Sequence, residues 1–347
     1  MLFSGFLMTR LTKLAHLPNV TGYILAGVLI GPCVLNLIPE TVQNGMDFVT
    51  DVALAFIAFG VGKYFKLGRL RKNGRSVLIL TVFESLIAAL LVFLVMAFVF
   101  RLPIPFSLLL GAIGSATAPA STIMTIRQYK AKGQFVDILL QIVALDDAVA
   151  LLAFSVCAAI AQAMEGGGGI SPKAVLLPIL WNLLALAAGA LAGFLLHKLI
   201  GENRSSQHRL VLVTALLLSI TGFCTSLDIS PLLACMVMGA VYINVSGNKK
   251  VFKQVNGFTP PIQLLFFVLS GMQMDLTALK AAGLIGVVYF LVRIIGKYAG
   301  AWLGAVLGKA SVPIRRYLGL ALIPQAGVSI GLALLGQRIL PAESGAL

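Results

Sequence analysis

Apolar runs separated by short polar breaks occupy the chain from end to end. A first run at residues 1–8 is too short to span a bilayer, and eleven longer segments follow it. Their approximate bounds are 18–37, 48–65, 76–100, 106–126, 136–160, 173–198, 209–227, 230–246, 258–274, 281–307 and 316–340. A helix needs about 20 apolar residues to cross the hydrocarbon core of a bilayer. The pattern therefore predicts an all-α polytopic membrane protein with about twelve hydrophobic segments.

The composition agrees with a membrane protein and excludes an ordinary soluble domain. Of the 347 residues, 59% are hydrophobic and 11% are charged, whereas a soluble domain carries about 25% charged residues. The four cysteines all lie inside apolar segments at unrelated spacings. Neither a disulfide framework nor a resident metal site is therefore predicted, and we expect no cofactor.

The basic residues alternate regularly between the two sides of the membrane. Of 26 lysines and arginines, 20 lie in every second connection, four lie on the opposite side and two remain inside a segment. Cytoplasmic loops carry an excess of Lys and Arg, so this alternation places the odd-numbered connections in the cytoplasm. The net charge of +14 then belongs to cytoplasmic loops and does not indicate a nucleic-acid partner.

A few charged residues lie inside the apolar segments, where an ionised side chain costs about 2.5–3.5 kcal/mol at the membrane centre. Arg293 and Lys297 are four residues apart, on one face of a helix, and Glu84, Asp146 and Asp147 have apolar neighbours on both sides. Such residues face protein or a water-filled path and indicate a functional site. Their alternative role is a purely structural ion pair between two helices.

Depth along the helices predicts which of these charges meet. Asp146 and Lys297 each lie ten residues from the cytoplasmic end of their segments, which is about 15 Å of helix. Acid and base can therefore meet near mid-membrane. One lysine does not balance two adjacent carboxylates, so Asp146 and Asp147 need a proton or a metal cation beside them. Oxygen ligands suit small, hard cations, and proton and cation would compete for them.

Two segments are interrupted at a similar depth. Segment 106–126 contains residues 114–122, with Thr117 and Pro119, and segment 316–340 contains residues 324–327, with Pro324 and Gln325. Proline removes a backbone donor and leaves carbonyl groups without helical partners. Broken helices in corresponding positions of two halves indicate a transporter site. The alternative is an ordinary proline kink, which transmembrane helices tolerate.

Glu84 and Arg293 are accessory candidates. Glu84 lies eight residues from the start of its segment, nearer the cytoplasm than the aspartates, and Arg293 lies one turn farther out than Lys297. Two placements are open for Glu84, which can pair with Arg293 or line the cytoplasmic entrance to the site.

At these residues the chain resembles the monovalent cation:proton antiporter superfamily, specifically the second branch, which contains bacterial Na⁺/H⁺ and K⁺/H⁺ antiporters. The resemblance covers nearly the whole chain. It is carried by four motifs, TGYILAGVLIGP at 21–32, ALDDAV at 144–149, FFVLSG at 266–271 and RIIGK at 293–297. The chain departs from many relatives at the helix breaks, where Ala118 and Gln325 replace acidic or charged residues, and at 60–64, where GVGKY replaces an acidic stretch.

The resemblance implies a sodium/proton antiporter-like fold, with inverted repeats and two broken helices that cross at the ion site. It implies that Asp147 is the principal cation and proton ligand, that Asp146 pairs with Lys297 and that Thr117 lies beside the site. Members with two aspartates and the lysine tend to exchange electrogenically. The resemblance further implies a homodimer, a role in pH homeostasis and elevator-like alternating access in the bacterial inner (plasma) membrane.

We expect a single membrane transporter domain, truncated at both ends. Its core would comprise about 76–160 and 281–340, and its dimerisation panel about 1–65 and 173–246. The expected function is antiport of a monovalent cation, Na⁺ in preference to K⁺, for protons, without enzymatic activity. Two alternatives stay open, a K⁺ efflux system that needs a missing regulatory domain and a non-transporting membrane sensor with the same fold.

Overall fold

The computed structural model describes residues 1–15, 17–165, 172–200, 205–227, 231–274 and 276–325, together with 329, 332, 333 and 336. All regular structure within these ranges is helical, as predicted. The α-helices, in chain order, are α1 (Leu2–Leu14), α2 (Asn19–Ile30), α3 (Glu40–Asn44), α4 (Asp47–Gly62), α5 (Leu67–Leu94), α6 (Ile104–Ser115), α7 (Pro119–Gln128), α8 (Gln134–Glu165), α9 (Pro172–Leu199), α10 (Ser206–Ser226), α11 (Pro231–Ser246), α12 (Lys250–Met272), α13 (Leu276–Leu307) and α14 (Val312–Ala321). A π-helical turn at Val95–Val99 extends α5.

Many of the described helices have the length and apolar composition of membrane spans. Six segments qualify on both counts, at Thr41–Gly62, Gly74–Val99, Gln134–Gln162, Ser206–Ser226, Lys250–Met272 and Ala282–Leu307. Four shorter apolar helices accompany them, at Asn19–Ile30, Ile104–Ser115, Leu183–Leu199 and Pro231–Ser246. The chain is therefore a multi-pass membrane protein.

Helix bounds differ from the apolar segments mainly where basic residues begin a helix. Helix α5 begins at Leu67 rather than near residue 76, and α12 begins at Lys250 rather than near residue 258. Lys and Arg are good helix formers, so the backbone stays helical beyond the apolar part. Hydropathy reports the surroundings of the side chains, and it does not report where backbone hydrogen bonding stops.

The chain divides into two compact units, and the first contains Met1–Lys66, Met124–Lys130 and Leu184–Leu276. Within it α2 packs on α12, and α4 packs on α11 and α12. A Cβ atom on Gly27 would lie 2.0 Å from the carbonyl oxygen of Val268, and one on Gly271 would lie 2.2 Å from that of Ile24. Two of the sequence motifs, at 21–32 and 266–271, therefore pack directly on each other through small residues.

The second unit contains Leu67–Ile123, Ala131–Leu183 and Thr277–Leu347. Within it α5 packs on α6 and α8, α6 packs on α8, and α14 also contacts α8. All of the candidate site residues named from the sequence belong to this unit. The assignment of one unit as ion-site core and the other as dimerisation panel remains a prediction.

Candidate ion and proton site

Three helices of the second unit carry the buried charges. Helix α5 carries Glu84, α8 carries Asp146 and Asp147, and α13 carries Arg293 and Lys297. The exposed fraction is 2% for Asp147 and 0% for the other four. Charged side chains are almost never this buried unless they are paired, so their contacts determine what the site can do.

Lys297 lies between two carboxylates. Its Nζ donates to Oε2 of Glu84 at 2.6 Å and to Oδ2 of Asp146 at 3.1 Å. The contact with Asp146 agrees with the pairing expected from the depth of the two residues. The shorter contact is to Glu84, which the sequence had placed elsewhere.

Ser85 completes this group and was not identified from the sequence. Its hydroxyl makes a short hydrogen bond to Oδ1 of Asp146 and lies 3.3 Å from Oε1 of Glu84. A serine hydroxyl carries a single hydrogen, so it donates to one carboxylate oxygen at a time. A serine next to an intramembrane glutamate was the sequence signal available for this residue.

The suggested pairing of Glu84 with Arg293 is wrong, because Glu84 contacts Lys297 instead. Both Glu84 and Asp146 reach the same ammonium group, so Glu84 lies at the level of Asp146 rather than nearer the cytoplasm. The depth count started at the apolar run near residue 76, whereas α5 begins at Leu67. Counting residues along each helix also ignored the angles at which helices cross.

A glycine stripe on α13 explains why Lys297 and Glu84 come so close. Gly296, Gly300 and Gly304 repeat at intervals of four residues and face α5. A Cβ atom on Gly300 would lie 2.6 Å from the carbonyl oxygen of Phe83 and 2.7 Å from Cα of Glu84. Such small-residue repeats allow two membrane helices to approach at backbone distance, and here they bring the lysine to the glutamate.

The variant Gly300→Ala is expected to separate α13 from α5 and to lower the thermal unfolding temperature in detergent. The added methyl group would meet backbone atoms, and overpacking of this kind costs about 1–3 kcal/mol. The control is Gly286→Ala on the same helix, where the nearest atom to the new Cβ is the Ala282 side chain at 3.5 Å. Equal unfolding temperatures for the two variants would show that the close approach is unimportant.

The two predicted helix interruptions lie against each other. The first consists of residues 116–118, between the end of α6 and the start of α7, and includes the buried Thr117. The second follows α14, and its residues Ile323, Pro324 and Gln325 are not helical. The backbone N–H of Ala118 donates to the carbonyl oxygen of Pro324 at 2.9 Å. Residues 326 and 327, which belong to the second predicted interruption, lie outside the described residues.

Arg293 holds backbone carbonyls at both interruptions. Its Nε donates to Gly114 at 3.0 Å and its Nη2 to Ala116 at 2.7 Å, while its Nη1 donates to Ile323 at 2.5 Å. These carbonyls belong to the C-terminal ends of α6 and α14, where helices leave acceptors without partners and a cation is favourable. Arg293 therefore ties the two breaks to α13.

Gln325 adds a second tie. Its Nε2 donates to the carbonyl oxygen of Ile113 at 2.9 Å and lies 3.0 Å from the hydroxyl oxygen of Tyr289. Several carbonyl groups released by the helix breaks are thus occupied by protein donors.

Two buried side-chain oxygens of the predicted site have no protein partner. They are Oδ1 of Asp147 and Oγ1 of Thr117, which find no donor or acceptor among the described residues. A buried polar atom without a hydrogen bond is costly, and a bound ion or water is one arrangement that offsets the cost. Pro119, the first residue of α7, is also buried.

Comparison with known proteins agrees with the helical membrane fold. The family model described as "Sodium/hydrogen exchanger, transmembrane" matches residues 1–344. The K⁺/H⁺ antiporter subunit KhtU of Bacillus subtilis is 21% identical over 321 residues, which cover 90% of this chain and 78% of KhtU.

Solved structures show the same fold. Two structures of the sodium proton antiporter MjNhaP1 from Methanocaldococcus jannaschii superpose with TM-scores of 0.77 and 0.80, at 22% and 21% sequence identity. Each match covers 99% of this chain and 87% or 88% of the antiporter chain. The family match over almost the whole length decides the assignment. The chain belongs to the sodium/hydrogen exchanger family of membrane cation:proton antiporters, which are transporters and not enzymes.

Proposed function

We propose that this protein is a secondary active antiporter that exchanges a monovalent cation for protons across the bacterial inner membrane. Sodium is the favoured cation, with potassium as the alternative, and the exchange is electrogenic. The observation that carries the proposal is the buried pair Asp146 and Asp147. Asp146 contacts the ammonium group of Lys297, and Oδ1 of Asp147 has no partner among the residues that the structure describes.

Asp147 is the principal ligand in this proposal. Its unpartnered oxygen and the unpartnered hydroxyl of Thr117 are buried hard-oxygen donors, the kind that small alkali cations prefer. A proton can occupy the same carboxylate, because two adjacent buried acids do not both stay ionised without a positive charge beside them. Cation and proton therefore exclude each other at one site.

Competition at one site becomes exchange when the site opens to one side of the membrane at a time. Binding of the cation releases protons to the side from which the cation came, and binding of protons releases the cation on the other side. Arg293 and its three carbonyl partners tie the two broken helices to α13, which suits a unit that moves as a body. Alternating access of this kind is part of the proposal, as is assembly into a homodimer through the first unit.

A second candidate is a K⁺/H⁺ antiporter that works with a separate regulatory subunit. The relative KhtU is named as a subunit of a K⁺/H⁺ antiporter, and this chain matches 78% of it. The candidate predicts weak exchange by the isolated chain, with K⁺ as the preferred cation. A non-transporting sensor predicts no exchange with any cation.

Proton flux in proteoliposomes distinguishes these functions. The purified protein is reconstituted with a pH-sensitive dye inside the vesicles, a proton gradient is imposed, and Na⁺, Li⁺ or K⁺ is added in turn. The proposal expects Na⁺ to collapse the gradient at lower concentration than K⁺, at a rate that changes with an imposed membrane potential. The absence of flux with all three cations, in vesicles shown to contain folded protein, would contradict antiport.

A further inference from the structure

Lys297 has two carboxylate partners, and the paired-aspartate site needs only one of them. Its Nζ lies 2.6 Å from Oε2 of Glu84 and 3.1 Å from Oδ2 of Asp146. All three side chains are fully buried. The closer partner is the one that lies outside the aspartate pair, so Glu84 has a role that the exchange of ions at Asp146 and Asp147 does not explain.

The position of Glu84 relative to Lys297 is set by backbone packing. A Cβ atom on Gly300, one turn beyond Lys297, would lie 2.7 Å from Cα of Glu84. The two helices therefore touch at backbone level beside this ion pair. A pair supported in this way stays together unless α13 and α5 separate, whereas the contact with Asp146 depends on a third helix, α8.

Charge balance also favours a lasting contact between Glu84 and Lys297. If Asp146 were the only partner of Lys297, a cation bound between the two aspartates would leave a buried ammonium group without a counter-ion, at a cost of several kcal/mol. Glu84 removes this cost because its carboxylate remains in contact with the ammonium group. The Ser85 hydroxyl donates to the other oxygen of Asp146. Asp146 can therefore keep one hydrogen bond when it leaves the ammonium group.

We propose that Glu84 is the permanent counter-ion of Lys297, and that the two side chains form a neutral pair through the whole transport cycle. This inference rests on the antiport function proposed above. Lys297 then keeps its positive charge when Asp146 leaves the ammonium group and binds the cation. The charge that changes during exchange resides on Asp146 and Asp147. In the proton-loaded state both are neutral carboxylic acids, and Asp146 accepts the hydrogen bond of the ammonium group in its protonated form. The two acids together release two protons when one monovalent cation binds and take up two protons after it leaves.

The competing mechanism gives Lys297 a different task. In that mechanism the lysine pairs with Asp146 alone, and it loses its proton when the cation displaces it. One of the two exchanged protons is then carried by the ammonium group. The two mechanisms differ in what happens when Glu84 and Lys297 are both neutralised.

The test compares Lys297→Gln, Glu84→Gln and the double variant in proteoliposomes. Lys297→Gln leaves the buried Glu84 without its counter-ion and is expected to lower the exchange rate by about tenfold or more. The double variant removes the neutral pair as a unit, and it is expected to recover at least about half of that loss on a logarithmic scale. Its reversal potential should still report two protons per cation.

The opposite results would overturn the inference. A double variant no faster than Lys297→Gln, or one that exchanges one proton per cation and has lost its response to membrane potential, would assign the second proton to the lysine. Thermal unfolding of all purified variants in detergent accompanies the flux assay, and the neutral pair predicts a higher unfolding temperature for the double variant than for Lys297→Gln. Wild-type vesicles without cation-driven proton flux would instead contradict the proposed function itself.

Discussion

The variant Asp147→Asn is expected to reduce cation-driven proton flux to the level of empty liposomes. The carboxylate can bind either a proton or a cation, whereas the asparagine amide is neutral and takes up no proton. Its Oδ1 is buried and has no partner within the described part of the chain, so the change removes a proposed ligand and not an observed hydrogen bond of that atom. The measurement is dye-reported proton flux after addition of Na⁺, Li⁺ or K⁺.

A control on the same helix makes the result specific. Asp137 lies in the first turn of α8 and is exposed, so Asp137→Asn applies the same chemical change outside the site. We expect this variant to retain exchange. Asp147→Asn should also keep the unfolding temperature of the wild type or exceed it, because an uncompensated buried charge is removed. Substantial exchange by Asp147→Asn would exclude Asp147 as the ion and proton ligand.

The variant Arg293→Ala is expected to cause the largest loss of stability in the second unit. It leaves the carbonyl oxygens of Gly114, Ala116 and Ile323 without their guanidinium donor. Each buried acceptor left without a partner costs about 1–3 kcal/mol. The expected result is a markedly lower unfolding temperature in detergent, together with loss of exchange, because the broken helices no longer hold Thr117 in place.

One further variant separates geometry from charge at Arg293, and a second variant is a control at an exposed arginine. Arg293→Lys keeps the positive charge but replaces the planar fork of donors by a single ammonium group, so it should recover only part of the stability. Arg316→Ala removes an exposed arginine from α14 and should leave the unfolding temperature unchanged. If Arg293→Ala unfolded at the same temperature as Arg316→Ala, the guanidinium would not be the tie between the helix breaks.

Arg293 and Lys297 therefore have different tasks although they lie one turn apart on α13. The guanidinium of Arg293 donates hydrogen bonds to backbone carbonyls at the helix breaks, and the ammonium group of Lys297 contacts two carboxylates. A planar group with five donors can satisfy three acceptors at once, whereas an ammonium group acts as a compact charge. Arg293 thus connects the two helix breaks to α13, and Lys297 connects Glu84 on α5 with Asp146 on α8.

Much of this protein could be predicted from local patterns along the chain. Length and spacing of the apolar segments predict the helical membrane fold, because each span must satisfy its own backbone in lipid. The intramembrane acids and bases can be identified one by one, since a charge is costly in lipid wherever it lies. The interruptions at Pro119 and Pro324 follow from the chemistry of proline. These properties depend on a residue and its neighbours in the chain.

The choice of partners was decided by the tertiary structure. Glu84 contacts Lys297 and not Arg293 because Gly300 lets α13 rest on the backbone of α5. Arg293 could have paired with an acid, and it binds carbonyls only because two helix breaks from distant parts of the chain meet beside it. Helix crossing angles and backbone contacts set such distances to within an ångström, and counting residues along a helix gives depth alone.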